Sequence, residues 1–310
     1  MNILNKNAII FLVIIMRVKL TDWMSEIGDE TNLFTISIPG THDSATKYVQ
    51  FSHFARCQNL SIYDQLNIGI RALDIRVKSN GEKLELVHGI AKTFATAGHN
   101  APSLNMGYIL EHCYAFLEQH PTEAIIFQFK NDDGRENEKC FDNLFYTYVK
   151  GNEDKWYLKA KAPTMAEARG KLVLIRRCNM NRDNPDFTCE NTGIDFSRWP
   201  EQPEVVPDAL PLRAGELDFI IQDRYNYKPE PRWSECIKPF LDGRKEYEGE
   251  YIIEYLSTAG GTKGPEANAE YINAQFLQYP LEKGKYYGII YFDFPTEELV
   301  KKIINHNLGE

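Results

Sequence analysis

The sequence lacks features that would point to two common classes of partner or cofactor. It has no surplus of positive charge, since the formal net charge is -9, and a nucleic-acid-binding protein needs a basic surface to meet the phosphate backbone. It also has no glycine-rich dinucleotide fingerprint and no P-loop. We therefore expect no nucleic-acid partner and no nucleotide cofactor, although a local basic pocket is compatible with an acidic protein.

Cysteine is sparse and has no metal-site spacing. None of the six cysteines forms a C-x-x-C pair, and none clusters with histidine at zinc-site spacing. They are Cys57, Cys113, Cys140, Cys178, Cys189 and Cys236. Free thiols are therefore favoured, while disulfides stay open because six cysteines allow many connectivities.

A long membrane-spanning run is also absent. The apolar residues 8–16 are too few to cross a bilayer as a helix. They are typical of the apolar region of a signal peptide, but residues 17–20 offer no small-residue cleavage site; alternatively, translation begins at Met16. The first alternative predicts a secreted or membrane-peripheral protein and the second a cytoplasmic one, so residues 1–16 are set aside and 17–310 are assigned to one domain.

Eight apolar segments bounded by turn residues predict strands. They are residues 33–36, 70–77, 84–89, 123–130, 171–177, 218–225, 251–257 and 286–294. Pro39 and Gly40 are expected to break the first of them, because proline removes a backbone donor.

Most connectors between these strands predict helices, at 61–69, 103–120, 164–168 and 266–278 and from Thr296 onward. The fifth connection, 179–216, is long and irregular. Strands that alternate with helices predict a parallel sheet. Eight such units favour a distorted (β/α)8 TIM-type barrel, an α/β fold that reaches about 250 residues as one domain.

Chemically capable side chains recur at the carboxyl ends of these strands, where barrel enzymes place their active sites. They are His42, Asp43, Asp74, Arg76, His88, Lys130, Arg177, Asp223, Tyr225 and Asp293. For any one of them a turn cap or a rim ion pair is an adequate explanation, but their recurrence favours a shared site.

Residue chemistry indicates a role for six of these side chains. Histidines on strands one and three would face each other across the barrel mouth and suit a base and an acid. Arg76 supplies a planar, permanent charge that suits a phosphate. Asp293 could orient His42 as the acid of a catalytic triad does, and Asp43 and Asp74 could position Arg76 and the leaving oxygen.

The remaining polar residues suit a polyhydroxylated ring. Lys130, Arg177 and Asp223 can hydrogen-bond to its hydroxyls, and Tyr225 offers a flat face. An ion pair between Arg177 and Asp223 is the alternative explanation for those two.

Together these motifs carry a family resemblance. The segments 37–43 (Ser-Ile-Pro-Gly-Thr-His-Asp), 73–76 (Leu-Asp-Ile-Arg) and 86–89 (Leu-Val-His-Gly) resemble the X-domain motifs of bacterial phosphatidylinositol-specific phospholipases C. Segments 168–174, 222–225, 257–262 and 291–293 resemble later parts of the same family, so the likeness extends over about residues 20 to 305.

The resemblance implies a distorted TIM barrel that cleaves phosphatidylinositol to diacylglycerol and inositol 1,2-cyclic phosphate without a metal. It implies that His42 is the general base, His88 the general acid and Arg76 the phosphate clamp. Asp43 and Asp293 would support them, with Asp74 behind. It also implies that Lys130, Arg177, Asp223 and Tyr225 hold the inositol. The implied partner is a phosphatidylinositol-containing membrane surface, to which the protein binds peripherally as a monomer.

One departure concerns membrane contact. Many relatives carry tryptophan in the loop after strand seven, whereas residues 262–265 here hold no aromatic. Phe51 and Phe54 are the nearest alternative anchors, unless they belong to the core. Two other functions stay open. A metal-dependent glycerophosphodiesterase would need a carboxylate cluster on strands two and three, where Arg76 occupies the place of a ligand. A non-catalytic inositol-lipid binding module would be expected to lack one histidine, and both are present.

Overall fold

The computed structural model describes residues 19–98, 101–132, 141–180 and 185–309. Within these ranges one mixed sheet is formed by β1 (Ile38–Thr41), β2 (Ala72–Ser79), β3 (Leu84–His88), β4 (Ala91–Lys92), β5 (Ile125–Asn131), β6 (Trp156–Tyr157), β7 (Leu172–Arg177), β8 (Ile194–Asp195), β9 (Leu210–Ala214), β10 (Leu217–Gln222), β11 (Tyr251–Tyr255) and β12 (Ile289–Phe292).

Helices cover the outside of this sheet. They are α1 (Ser52–Ala55), α2 (Ile62–Asn67), α3 (Met106–Gln119), α4 (Phe141–Val149), α5 (Met165–Ala168), α6 (Pro229–Pro231), α7 (Lys238–Asp242), α8 (Pro265–Gln278) and α9 (Glu297–Leu308). Short 3-10 helices span Leu20–Glu26, Leu33–Thr35 and Glu153–Lys155, and a π-helix spans Arg232–Ile237. None of the described helices is both long and apolar enough to cross a membrane.

The sheet forms the barrel that the alternating pattern predicted. Its centre is parallel, in the order β7-β5-β2-β1-β12-β11-β10, and the short β8 extends it beside β7. Side chains join the two ends: the rings of Phe196 and Phe219 lie 4.7 Å apart, and Gln202 hydrogen-bonds to the backbone of Ile221 and Asp223. The distorted TIM-type fold is therefore confirmed.

The predicted first strand is wrong in its position. Residues 33–35 form a 3-10 helix, and β1 instead contains Pro39 and Gly40. Proline is tolerated there because Ile38 and His42 direct their N–H groups to β12, so the donor missing at Pro39 lies on the β2 side, before the pairing with β2 begins. Gly40 is required because a Cβ would lie 2.9 Å from the Tyr291 ring.

The predicted third strand is present, but it is not one of the parallel strands of the barrel. β3 pairs antiparallel with β2 and then with β4, as an excursion above the barrel. The link between β2 and β3 covers residues 80–83. A parallel crossover needs a dozen residues or more, so this short turn permits only a hairpin.

Alternation along β2 separates core from site. Leu73, Ile75 and Val77 are buried in the main hydrophobic core, while Asp74 and Arg76 occupy the opposite face. The long connection predicted to be irregular contains β8 and β9, and the sixth predicted strand ends at Gln222 rather than Tyr225. Expected free thiols are observed at Cys57, Cys113, Cys189 and Cys236, whereas Cys140 lies outside the described residues.

Candidate active site

The turn after β1 places His42 and Asp43 at the mouth of the barrel. The backbone N–H of His42 donates to Phe292 O, which continues the β1–β12 ladder. Asp43 then takes a left-handed conformation with φ 43°, which aspartate tolerates better than most residues. Thr46 holds this turn, because both its N–H and its hydroxyl donate to Asp43 O.

His42 lies between two buried carboxylates. Its Nδ1 is 2.8 Å from Asp293 Oδ1 and its Nε2 is 3.2 Å from Asp43 Oδ2. Burial alone would lower the pKa of His42, but the charges of Asp293 and Asp43 outweigh burial and the neighbouring Arg76, and they raise the pKa to about 9. The imidazole of the ligand-free protein is therefore protonated at neutral pH.

Arg76 projects from β2 into the same space. Its Nη2 donates to Asp74 Oδ2 at 3.0 Å, and its Nη1 lies 3.2 Å from Asp43 Oδ2. Burial would raise the pKa of Asp74, but Arg76 outweighs it and holds that pKa well below the usual range. Asp74 is thus a fixed anion beneath the guanidinium, which retains 13% exposure toward the mouth.

His88 reaches the site from the end of β3. Its Nδ1 lies 2.8 Å from Ala55 O, which requires that nitrogen to carry the proton because a carbonyl only accepts. Its Nε2 faces Asp43 Oδ2 at 3.4 Å, and its ring centroid is 6.2 Å from that of His42. The two histidines therefore face one another, as predicted, although His88 lies on the antiparallel β2–β3 hairpin rather than on a parallel strand of the barrel.

Three cationic or proton-carrying groups converge on one oxygen. His42, Arg76 and His88 approach Asp43 Oδ2 at 3.2, 3.2 and 3.4 Å. That oxygen is buried and lacks the alignment of a hydrogen bond with any described residue. Charge rather than directed bonding holds the cluster, so its members can turn toward an incoming anion.

Lys130 and Arg177 occupy neighbouring strands beside this cluster. Lys130 Nζ lies 2.9 Å from Asp132 Oδ1. The Arg177 guanidinium lies 3.9 Å from the Trp199 ring centroid and 3.4 Å from Glu201. Its ion pair is therefore with Glu201, not with Asp223 as the alternative explanation supposed.

Asp223 and Tyr225 follow the carboxyl end of β10 at the mouth. Asp223 is 8% exposed, and burial raises its pKa against the opposing charges of Arg177 and His42. Tyr225 is partly exposed, and its carbonyl accepts from Ala259 N–H, which ties this rim to the loop after β11.

Sequence reasoning missed the polar floor of the site. Gln128 Nε2 donates to Asp74 Oδ1 at 3.0 Å and to Tyr255 Oη at 2.6 Å. The Tyr255 ring lies 5.8 Å from that of His42. The sequence did contain a signal for Gln128. It is a polar residue between two phenylalanines in the predicted strand 123–130, of which only Lys130 was assigned to the site.

Two groups of potential metal ligands occur among the described residues, and both contain Cys57. One adds His42 and Asp293, and the other adds Asp43 and His88. Outside these two groups, Asp132 is paired with Lys130 and accepts a hydrogen bond from Gly89 N–H.

Comparison with known proteins points to one family. The family described as PI-PLC X 1 matches residues 31–167. The 1-phosphatidylinositol phosphodiesterase of Listeria monocytogenes is 28% identical over 301 residues, covering 92% of this chain and 84% of its own. The enzyme of the same name from Staphylococcus aureus strain Newman is 26% identical over 277 residues, covering 84% and 82%.

The solved structures agree. The phosphatidylinositol-specific phospholipase C of Listeria monocytogenes superposes with a TM-score of 0.73 at 27% identity, covering 93% of this chain and 99% of that one. A Staphylococcus aureus phosphatidylinositol-specific phospholipase C variant gives a TM-score of 0.76 at 23% identity, covering 93% and 98%, which supports the shared fold. This chain is therefore similar over most of its length to bacterial phosphatidylinositol-specific phospholipases C, and its residues 31–167 match the X domain.

Proposed function

We propose that this protein cleaves phosphatidylinositol to diacylglycerol and inositol 1,2-cyclic phosphate. The convergence of His42, Arg76 and His88 on Asp43 Oδ2 carries the proposal. It puts two proton-transfer groups and one phosphate-binding cation within reach of a single phosphorus atom. A phosphodiester with an adjacent hydroxyl needs these three functions and no others supplied by the protein.

His42 is the proposed general base on the inositol 2-hydroxyl. Asp293 bonds to its Nδ1 at 2.8 Å, so Nε2 is the nitrogen that faces substrate. A base with a raised pKa accepts a proton strongly once it is neutral. The neutral fraction increases as pH approaches 9, so kcat/KM should rise over that range.

His88 is the proposed general acid to the diacylglycerol oxygen. Ala55 O fixes its Nδ1 proton, so a second proton on Nε2 can leave without disturbing the ring. Asp43 Oδ2 lies 3.4 Å from Nε2 and orients this edge of the ring. When the leaving oxygen takes that proton, the P–O bond to diacylglycerol breaks and the new bond to the 2-oxygen completes the ring.

Arg76 is the proposed clamp for the phosphoryl oxygens. Asp74 fixes its orientation from below, and its Nη1 exchanges the loose contact with Asp43 for a phosphate oxygen. Charge that grows on those oxygens in the transition state then meets a preorganised cation.

The inositol ring would lie among Lys130, Arg177, Asp223 and Tyr225. Lys130 and Arg177 retain donors toward the mouth, Asp223 offers an acceptor, and Tyr225 offers an aromatic face. A headgroup without hydroxyls would make none of these contacts, which costs several kcal/mol, or ~10³-fold in rate. Phosphatidylcholine is therefore the matched control substrate.

Catalysis is proposed to need no metal ion. The Arg76 guanidinium supplies the positive charge at phosphorus and repels a hard cation from the carboxylates around it. The initial rate should be unchanged or higher in excess EDTA and unchanged by added calcium. Loss of activity in EDTA that calcium restores would favour the metal-dependent alternative.

Lipid access is proposed to use an apolar rim formed by Phe51, Phe54 and Ile90, which are 65%, 69% and 88% exposed. This rim adjoins His88, whose Nδ1 contacts Ala55 at the end of α1. We infer a monomer that works peripherally on phosphatidylinositol-containing membranes, secreted or membrane-associated, without nucleic acid.

Phosphorus NMR of the products tests the function directly. With phosphatidylinositol vesicles, cyclic inositol phosphate should appear before any acyclic product, because the internal hydroxyl is held beside phosphorus. An analogue without the 2-hydroxyl should be inert, and phosphatidylcholine should be a very poor substrate. Acyclic inositol phosphate from the first time point would refute intramolecular attack.

A further inference from the structure

A fully buried arginine joins the ends of two neighbouring strands at the mouth. Arg232 is the first residue of the π-helix Arg232–Ile237, and its side chain is shielded from solvent. π-helices are rare and occur frequently at functional sites. The reaction proposed above gives Arg232 no role.

We propose that Arg232 is a positioning residue for the inositol ring, because it ties the carboxyl ends of β10 and β11 together and thereby holds Asp223 in place for the headgroup. The inference rests on the proposed function, since it concerns the headgroup of the same substrate. It assigns a role to a residue that touches neither phosphorus nor inositol.

The Arg232 guanidinium bridges two parallel strands. Its Nη1 donates to Gln222 Oε1 at 2.8 Å, and its Nη2 donates to Tyr255 O. Gln222 is the last residue of β10 and Tyr255 is the last residue of β11, and these two strands pair with each other. Because the guanidinium is planar and its donors are fixed relative to one another, the bridge sets the spacing of the two strand ends.

The bridge reaches Asp223 through the glutamine beside it. Asp223 directly follows Gln222, and Gln222 Oε1 also accepts from Arg224 N–H at 3.2 Å. The N–H of Asp223 itself donates to Gln202 Oε1 at 3.0 Å. The residues on both sides of Asp223 therefore depend on one amide, and Arg232 holds that amide.

Arg232 also contributes charge to the ring-facing carboxylate. Its Nη2 lies 3.8 Å from Glu254 Oε1, and neither oxygen of Glu254 has a hydrogen-bond partner among the described residues. Burial raises the pKa of Glu254 well above its usual range, against the charges of Arg232 and Arg244, so this carboxyl is neutral at neutral pH. Burial also raises the pKa of Asp223, and Arg232 is one of the cations that oppose that rise. With Glu254 neutral, the charge of Arg232 is left to stabilise the Asp223 carboxylate.

The other end of the bridge leads to the segment that supports Tyr225. After Tyr255 the chain enters the loop that follows β11. In this loop Thr258 Oγ1 and Ala259 N–H lie 3.0 and 2.7 Å from Tyr225 O. Arg232 therefore acts at the start of both segments that place Asp223 and Tyr225.

Loss of the bridge should weaken headgroup binding rather than chemistry. A hydrogen bond to a charged group is worth ~10–100-fold in binding, so Arg232→Met should raise KM for phosphatidylinositol by about that factor. The kcat value should stay near that of wild type, because Arg232 contacts none of the groups at phosphorus and a loss of binding shared by ground and transition states appears in KM alone.

Kinetics on mixed vesicles test the proposal. The mole fraction of phosphatidylinositol in phosphatidylcholine vesicles is varied at constant total lipid, so that KM reports headgroup binding rather than membrane binding. Two control variants should keep the wild-type KM per folded molecule. Arg71→Met removes an equally buried arginine at the base of the barrel, and Glu254→Gln removes the neutral carboxyl beside Arg232 but keeps the bridge. An unchanged KM in Arg232→Met, or the same rise in either control, would overturn the proposal.

A double variant shows whether Arg232 acts through Asp223. Asp223→Asn alone should raise KM, and Arg232→Met added to it should raise KM by much less than it does in wild type, since the two residues act on one contact. Full multiplication of the two effects would overturn the route through Asp223. If Arg232→Met misfolds by circular dichroism, Arg232→Lys, which keeps the charge but not the planar fork, takes its place in the same cycle.

Inositol binding gives a readout that needs no activity. In isothermal titration with myo-inositol, Arg232→Met should bind more weakly than wild type, and Arg71→Met should bind like wild type. Weaker binding by Arg232→Met in a protein inert toward phosphatidylinositol would refute the proposed cleavage alone. Equal binding by wild type and Arg232→Met would overturn the positioning role even where cleavage is confirmed.

Discussion

Two arginines form ion pairs along β2, Arg71 immediately before its first residue and Arg76 nearer the mouth of the barrel, and they differ in what they leave unsatisfied. Arg71 and its partner Glu123 are both fully buried at the base of the barrel, 2.8 Å apart. Arg76 at the mouth contacts Asp74 and Asp43 at 3.0 and 3.2 Å but keeps 13% exposure. The Arg71–Glu123 pair is therefore closed to solvent, whereas the pairing of Arg76 at the mouth is open to it.

The closed pair is saturated. The guanidinium of Arg71 donates to Glu123 and to four backbone carbonyls, those of Leu20, Thr21, Leu66 and Ile70. Glu123 also accepts from Met24 N–H. Except for the bond to Ile70, these bonds tie the N-terminal segment, α2 or the residue Glu123 before β5 to the start of β2. With its donors committed to the protein, Arg71 has none to offer a ligand, so its role is stability.

The contacts of Arg76 at the mouth are not saturated. Asp43 Oδ2 is approached by three groups without an aligned bond, so the Arg76 contact is easily exchanged for a phosphate oxygen. This contrast separates stability from chemistry along one strand, and substitutions at the two ends should separate them experimentally.

The largest expected effect is on rate at the open end. Arg76→Ala should lower kcat on phosphatidylinositol by roughly 10³-fold or more, by analogy with the loss of a preorganised donor or a phosphate-binding arginine. Initial-rate measurements at saturating lipid check it. An Arg76→Ala enzyme within tenfold of wild type would remove the clamp from the account.

The next effect is on stability at the closed end. Arg71→Ala leaves Glu123 buried without its cation and should lower the free energy of unfolding by about 3–5 kcal/mol. The folded fraction should keep near-normal kcat. Urea denaturation followed by activity per folded molecule measures both quantities.

A double variant supplies the matched control. Arg71→Met combined with Glu123→Met removes both charges and should recover much of the lost stability, because replacing a whole buried pair costs far less than breaking it. If the double variant were as unstable as Arg71→Ala, the carbonyl contacts rather than the ion pair would hold the base together.

A smaller effect concerns pH at the mouth. The folded pKa of His42, about 9, lies above the ordinary value of 6.5, so its stabilising contribution is complete below about pH 6.5 and is lost as pH rises through 9. The difference corresponds to at most about 3 kcal/mol. Unfolding free energies at both ends of that window, for wild type and His42→Ala, should show this loss in wild type alone.

Much of the mouth was predictable because its residues follow strands that periodicity identifies. Asp74 and Arg76 share a face of β2, and Asp293 directly follows β12, which pairs with β1. Strand alternation and barrel closure suffice for those placements. The expected His42–Asp293 contact, at 2.8 Å, follows from them.

The base of the barrel and the floor of the site were not predictable in the same way. Arg71 and Glu123 each lie within a predicted strand, yet their pairing depends on how the N-terminal segment packs beneath the barrel. Gln128 and Tyr255 are 127 positions apart, so their contact exists only once the sheet has curled into the barrel. The β2–β3 hairpin could have been predicted from the short link between the two strands. It was missed because hydrophobic periodicity alone does not take the length of a connection into account.

The division of labour between His42 and His88 is the central chemical claim, and the leaving group tests it most directly. In an inositol phosphate ester with a nitrophenyl leaving group, the nitrophenolate leaves without taking up a proton. Cleavage of this ester therefore needs no general acid but still needs the general base. Each histidine-to-alanine variant should lose ~10²–10⁴-fold in rate on phosphatidylinositol. On the nitrophenyl ester, His88→Ala should recover most of that loss while His42→Ala should recover none. Recovery by His42→Ala instead, or equal losses of both variants on both substrates, would contradict the account.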